Sequence, residues 1–390
     1  MRDAYIVSSV RTPGCRRAKG AFAQTRPEEL LSHILKAAVD RIKIPAGDID
    51  DVMVGCAFPE AEQGLNLGRI AVQMAGFPDE VCGAVVNRFC SSGLESIAIS
   101  ALKIKAGWAD VAIGAGCESM SIVPMGGNLP RPHPDWAKKN PDVYISMGIT
   151  AENVANRYKV SREDQDKFAV LSNQKAAKAQ AENLFTELIP TPATRYKMQA
   201  DGTYLKETFI QDFDDGVRKD TTLEGLAKLK PAFSALGSVT AGNSSQTTDG
   251  AAATVLMSEE AVKRYNVKPL ARIVAYTAAG CRADEMGVGP KYAIPKALKL
   301  AGLKISDIGV YELNEAFASQ ALHCARELGL DMNIVNLTGG AIALGHPLGC
   351  TGSKIMATLV TNLHRSGAKY GVESMCIGGG MGAAMIIEKM

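Results

Sequence analysis

The chain has 390 residues, 46% of them hydrophobic and 22% charged, an ordinary composition for a globular protein of two or three domains. Lysine plus arginine total 43 against 41 aspartate plus glutamate, a formal net charge of +2, which excludes a general electrostatic grip on nucleic acid or an anionic membrane. No run approaches the roughly 18 apolar residues of a membrane span, so membrane insertion is not expected.

In chain order, a strand-like run at residues 4–7 comes first and leaves no room for a targeting leader. A helical stretch (31–42) and a strand (52–54) follow, then a strand at 84–87. A short loop leads into a helix over 93–105, with Leu94, Ile97, Ala98 and Ala101 on one face and Gly107 as its stop. A strand occupies 111–114. Residues 121–248 interrupt the pattern with a Pro-rich loop (124–141) and a long helix-like stretch (161–183). Asp164, Lys167 and Lys178 mark the solvent side of that stretch. A strand at 250–256 resumes the pattern.

The second half repeats the first. A helix (294–300) precedes a strand (310–313), and Asn333-Ile334-Val335-Asn336 resembles Ala84-Val85-Val86-Asn87. A helix over 352–365 places Met356, Leu359, Val360 and Leu363 on one face and stops at Gly367. Strands at 374–378 and 382–387 end the chain. The reading is an α/β fold of two related halves, 1–120 with 249–267 and 268–390, carrying an inserted lobe at 121–248.

The nine cysteines are odd in number and never spaced C-x-x-C. A disulfide framework and a structural zinc site are not expected, and a reducing cytoplasm fits. The five histidines never pair at ligand spacing, so no metal is expected. Gly378-Gly379-Gly380-Met381-Gly382-Ala383 matches a dinucleotide fingerprint, but a strand follows where a helix is required.

What remains is a constellation at element junctions. Cys90, in Asn87-Arg88-Phe89-Cys90-Ser91-Ser92-Gly93, lies between a strand and a helix. A helix start lowers a thiol pKa, and a sharp strand-to-helix loop presents a nucleophile. Position alone leaves Cys90 open between this role and that of a buried apolar thiol. His346 occupies the duplicate's equivalent loop, among glycines that permit close ligand approach. Cys376 and Asn314 each end a strand, where α/β sheets place their sites. Taken singly, Cys376 also reads as core and Asn314 as a turn residue.

Together these residues resemble the thiolases, the acyl-CoA:acetyl-CoA C-acyltransferases. The resemblance rests on the Cys90 loop, Asn314-Glu315-Ala316-Phe317, Gly339-Gly340-Ala341 with Leu344-Gly345-His346-Pro347-Leu348-Gly349, and Cys376-Ile377-Gly378-Gly379-Gly380-Met381-Gly382. It runs end to end and includes Ala241-Gly242-Asn243-Ser244-Ser245. It implies a five-layered αβαβα fold, with central helices between two sheets and the inserted lobe binding CoA.

For chemistry, the resemblance implies that Cys90 carries the acyl group and that His346 takes its proton. Cys376 shuttles a second proton. One oxyanion site would be His346 with a water held by Asn314; the other would be the N–H groups of Cys90 and Gly378. Ser245 would contact the pantetheine arm, Arg218 would lie by the nucleotide end, and Met147 and Phe317 would line the acyl tunnel. Arg218 also reads as a solvated charge.

No cofactor is implied, CoA and acyl-CoA being substrates. A cytoplasmic homodimer is expected, with membership of a β-oxidation multienzyme left open. Ser146-Met147-Gly148 lacks the His that short-chain biosynthetic members place before this Met, which leans toward the degradative 3-ketoacyl-CoA branch. A biosynthetic acetoacetyl-CoA enzyme, a decarboxylating ketoacyl synthase and a non-catalytic lipid carrier stay open as alternatives. The second thiol speaks against the synthase, and the intact Cys90, His346 and Cys376 speak against the carrier.

Overall fold

The computed structural model describes residues 2–390. Its strands are β1 Tyr5–Arg11, β2 Cys15–Arg16, β3 Asp51–Gly55, β4 Cys82–Val86, β5 Val111–Ser119, β6 Thr191–Met198, β7 Tyr204–Gln211, β8 Thr248–Met257, β9 Ala271–Gly280, β10 Ile308–Leu313, β11 Tyr370–Ile377 and β12 Met381–Lys389.

Two half-sheets have matching orders. The first runs β1-β8-β5-β3-β4, with β8 antiparallel to both neighbours and β3 parallel to β5 and β4. The second runs β9-β12-β11-β10, with β12 antiparallel to both neighbours and β10 parallel to β11. Beyond β10, Val335 forms a single parallel bridge to Tyr311, in the place that β4 takes beside β3. The sequence reading put these halves in separate sheets. Instead Tyr5 and Ile6 of β1 pair with Arg272 and Ala271 of β9, joining them into one sheet of ten strands.

Each half-sheet is covered on both faces, and this sets the sequence of its strands. All nine residues of β5 are buried and most are small or apolar. Helices Pro27–Asp40 and Leu67–Met74 cover the outer face of the first half-sheet. Helices Gly289–Ala301 and Ala318–Leu328 cover that of the second. Between the half-sheets lie Ser92–Lys105 and Thr351–Ser366, whose Leu94, Ile97, Met356 and Leu359 share one core with Ile6, Val310 and Ile387. The layers are therefore helix, sheet, helix, sheet, helix.

The two central helices touch through main chain. A Cβ on Gly352 would lie 2.1 Å from the Leu94 nitrogen, and one on Gly93 2.7 Å from the Ser353 nitrogen. Only glycine permits this approach. It brings both helix N-termini to one place.

The lobe enters and leaves between adjacent strands, because β5 pairs with β8 along its whole length. Helix Arg162–Ala181 is its main element, with the Ser161 hydroxyl accepting from the Asp164 N–H at 3.1 Å as N-cap. A hairpin of β6 and β7 also belongs to it. The sequence reading did not find that hairpin.

Candidate active site

The Cys90 loop is held by local hydrogen bonds. The Arg88 N–H donates to Ser92 Oγ at 2.9 Å, the Ser92 hydroxyl to the Phe89 carbonyl at 2.6 Å, and the Phe89 N–H to Asn87 Oδ1 at 2.8 Å. They hold Phe89 at φ +44°, a left-handed conformation costly for a bulky residue and frequent where a functional group is presented. A single turn, Phe89–Ser91, then feeds the first central helix.

Cys90 is 1% exposed and packs with Ala57, Met120, Leu348 and Met147. The N–H groups of Gly378 and of Cys90 itself face its sulfur and favour the thiolate. Burial outweighs them and pushes the thiol up to about 11. The sequence reading expected the helix start to lower it. The two N–H groups do favour the thiolate, but desolvation is the larger effect for a sulfur this deeply buried.

Cys376, in β11, is buried with Met286, Phe317 and Met147. Met147 thus touches the surroundings of both thiols. Burial raises the Cys376 thiol well above its ordinary value, and Cys90 is close enough to raise it further. Gly378 follows β11, and a Cβ there would meet only Met147 Sδ and Phe89 Cδ2, both at 3.8 Å.

His346 follows the short helix Ala341–Leu344 and Gly345, whose φ is +82° and whose Cβ would lie 2.2 Å from Thr248 Cγ2. Its ring Nδ1 is 2.5 Å from Thr351 Oγ1. With the Thr351 hydroxyl donating to the Pro347 carbonyl at 3.1 Å, it accepts from Nδ1–H. Nε2 is left with the lone pair, the form a general base needs. Burial, with the charge of Lys354 in addition, lowers the imidazole to about 3, which keeps it neutral at working pH.

Asn314 follows β10, and its N–H donates to the Ser374 carbonyl at 2.9 Å, which seats it beside β11. Both polar atoms of its buried side chain lack any protein partner, a costly arrangement unless a ligand supplies one. Asn314 lines a small buried cavity together with Gly345 and Lys354.

The lobe reaches this centre through residues 244–247. Ser244 bridges Phe317 and Thr247 bridges His346. The Ser245 N–H donates to the Ala316 carbonyl at 2.9 Å. Gln246 Nε2 donates to the Gly216 carbonyl at 2.8 Å and to the Ile342 carbonyl at 3.0 Å. Two residues past Gly216, the exposed Arg218 lines an open cavity of about 530 Å³ with Gln180, Lys219 and Thr221. Phe317 meets Phe233 edge-on, with centroids 5.8 Å apart.

Sequence reasoning missed several supports. Glu118 is fully buried and accepts from the N–H groups of Ala57 and Gly349, each at 2.7 Å, so it ties the Cys90 side to the His346 loop. A carboxylate inside an otherwise uncharged buried strand was the available signal. Lys354 donates to the carbonyls of Leu344 and Gly345 at 3.1 and 3.4 Å, just before His346. Among the described residues, no group of side chains is arranged to hold a metal ion, and no helix is long and apolar enough to cross a membrane.

Two buried thiols, a buried imidazole, main-chain N–H groups and an unpaired amide carry the chemistry that covalent acyl transfer requires. Residues 4–260 match the family "Thiolase, N-terminal domain" and residues 267–389 match "Thiolase, C-terminal domain". The chain belongs to the thiolase family. It is 51% identical over 389 residues to "3-ketoacyl-CoA thiolase" of Bacillus subtilis (strain 168), covering 100% of both chains. It is 46% identical to "3-ketoacyl-CoA thiolase A, peroxisomal" of Rattus norvegicus, covering 99% of this chain and 88% of that one. In structure it resembles the acetyl-CoA acetyltransferase of Bacillus anthracis, with a TM-score of 0.90, 38% identity, and coverage of 100% and 99%.

Proposed function

We propose that this protein is a 3-ketoacyl-CoA thiolase. It cleaves a 3-ketoacyl-CoA with CoA, giving acetyl-CoA and a shortened acyl-CoA through a thioester on Cys90. The observation that carries the reading is the sulfur of Cys90 facing the Gly378 N–H with Cys376 beside it.

In the first half-reaction Cys90 passes its proton to His346 and attacks the keto carbon. The bond between C2 and C3 breaks, and Cys376 protonates the departing acetyl-CoA carbanion. In the second, the Cys376 thiolate takes the proton of incoming CoA, whose sulfur attacks the thioester and frees Cys90, which recovers its proton from His346. Negative charge on the reacting oxygens falls to the N–H pair of Cys90 and Gly378 in one step. In the other it falls to His346 and a water held by Asn314, whose unpaired amide supports that role. Ser245 and Arg218 would bind CoA, supported by the continuous path from Ser245 through Gln246 and Gly216 to the Arg218 cavity. Met147 and Phe317 would line the acyl side.

The same reading includes a homodimer. Strand β4 ends its half-sheet with one flank unpaired and its residues partly exposed, which suits pairing with a second copy. Nine free cysteines favour a reducing compartment such as the cytoplasm. Thiolysis rates on 3-ketoacyl-CoA esters of graded length test the proposal. Activity on long chains supports it, while activity confined to the four-carbon ester would favour the biosynthetic reaction.

A further inference from the structure

Gln320 lies on helix Ala318–Leu328 and is 2% exposed. Its Oε1 accepts from the Cys376 thiol at 3.5 Å, and its Nε2 has the Met286 sulfur at 3.9 Å. A primary amide offers two donors and an acceptor. Here it is buried against two sulfurs, with no oxygen or nitrogen partner. The fold makes room for it: a Cβ on Gly287 would lie 2.1 Å from Gln320 Cγ, Cδ and Nε2. The titratable groups facing Cys376 are the thiols of Cys90, Cys281 and Cys324, and none carries a fixed charge. Among the described residues, Gln320 is the one side chain hydrogen-bonded to Cys376.

We propose that Gln320 is a positioning residue that serves both protonation states of Cys376. In the thiol state Oε1 accepts the S–H. In the thiolate state a half-turn of the amide about its last side-chain bond presents Nε2–H to the sulfur. When Cys376 deprotonates an acetyl methyl group, the carbon's electron pair stays in the enolate and the proton moves to sulfur. The amide gives up and takes no proton; it exchanges a donor for an acceptor. A permanent cation would hold the thiolate too firmly for it to remain a base, whereas a turning dipole favours neither state by a full charge.

The inference rests on Cys376 as the proton-transfer group, and the experiment separates the two claims. In the full-length protein, Gln320→Glu keeps the shape and Gln320→Met removes the hydrogen bonds. Three quantities are read: exchange of acetyl-CoA methyl protons for deuterium against pH, alkylation of Cys90 by iodoacetamide, and thermal unfolding. The expected result is exchange slower by about ten- to a hundredfold, the scale of a hydrogen bond to a charged group. Its pH profile should move upward, while Cys90 alkylation continues. An unmoved exchange profile in the folded Glu variant overturns the proposal alone, and that variant decides if the Met variant fails to fold. Wild-type exchange in Cys376→Ser overturns both the proposal and the reading beneath it.

Discussion

His346 Nδ1 and Thr351 Oγ1 lie 2.5 Å apart. With the Thr351 hydroxyl donating to the Pro347 carbonyl at 3.1 Å, Nδ1–H donates to Oγ1 and Nε2 keeps the lone pair. Both residues are buried, so water cannot replace the bond cheaply. Thr351→Val should lower kcat/KM for thiolysis by about ten- to a hundredfold, as loss of the partner that orients a general base does. Thr351→Ser should restore most of it. Equal rates in Val and Ser variants would remove the hydroxyl from this role.

The raised Cys90 thiol gives a signed pH prediction. Below its pKa the group is a poor nucleophile, so raising the pKa shrinks the reactive fraction at neutral pH. Without ligand, iodoacetamide alkylation of Cys90 should keep climbing with pH to beyond about pH 10, where an ordinary thiol near ~8.5 has levelled off. In Cys90→Ser, intact-mass analysis should find no acyl adduct after exposure to acyl-CoA. A plateau near neutral pH, or a normal adduct on the serine variant, contradicts the site as drawn.

Gly378→Ala separates folding from catalysis. The added methyl would meet its neighbours at 3.8 Å, ordinary van der Waals contact, so the unfolding midpoint should barely change. The methyl projects toward Met147 and Phe89, beside the N–H that faces Cys90. Displacing one such donor costs about a hundredfold or more in kcat. Full activity in this variant would place the substrate oxygen elsewhere.

Gly352→Ala should act on stability instead. Its Cβ would lie 2.1 Å from the Leu94 main-chain nitrogen, and neither central helix can yield without disturbing a core shared by both half-sheets. Overpacking of this kind costs about 1–3 kcal/mol or more. Denaturant unfolding should show a clearly lower midpoint. An unchanged midpoint would mean that the helices can slide apart.

That Cys90, His346, Cys376 and Asn314 fall at or next to the ends of regular elements was legible in the sequence, because apolar periodicity stops there and glycines gather. The central helices were legible for the same reason, their apolar faces and terminal glycines falling where the periodicity put them. Thr351 and Gln320 were not, since each matters through one partner that only the fold brings near. The hairpin of β6 and β7 escaped because its exposed Tyr196, Met198, Tyr204 and Ile210 blur the alternation that marks a half-buried strand. The direction of the Cys90 shift escaped because it depends on the depth of burial, which no local motif encodes. The join of β1 to β9 rests on two residue pairs, too short to leave a pattern.

The meeting of Gly93 with Gly352 has a consequence for biosynthesis. Cys90 belongs to the first half of the chain, whereas His346, Cys376 and Gly378 belong to the second. A nascent polypeptide already displaying Cys90 has neither the proton acceptor nor the Gly378 N–H. It should therefore lack catalysed acylation by thioesters until the second half has folded against the first.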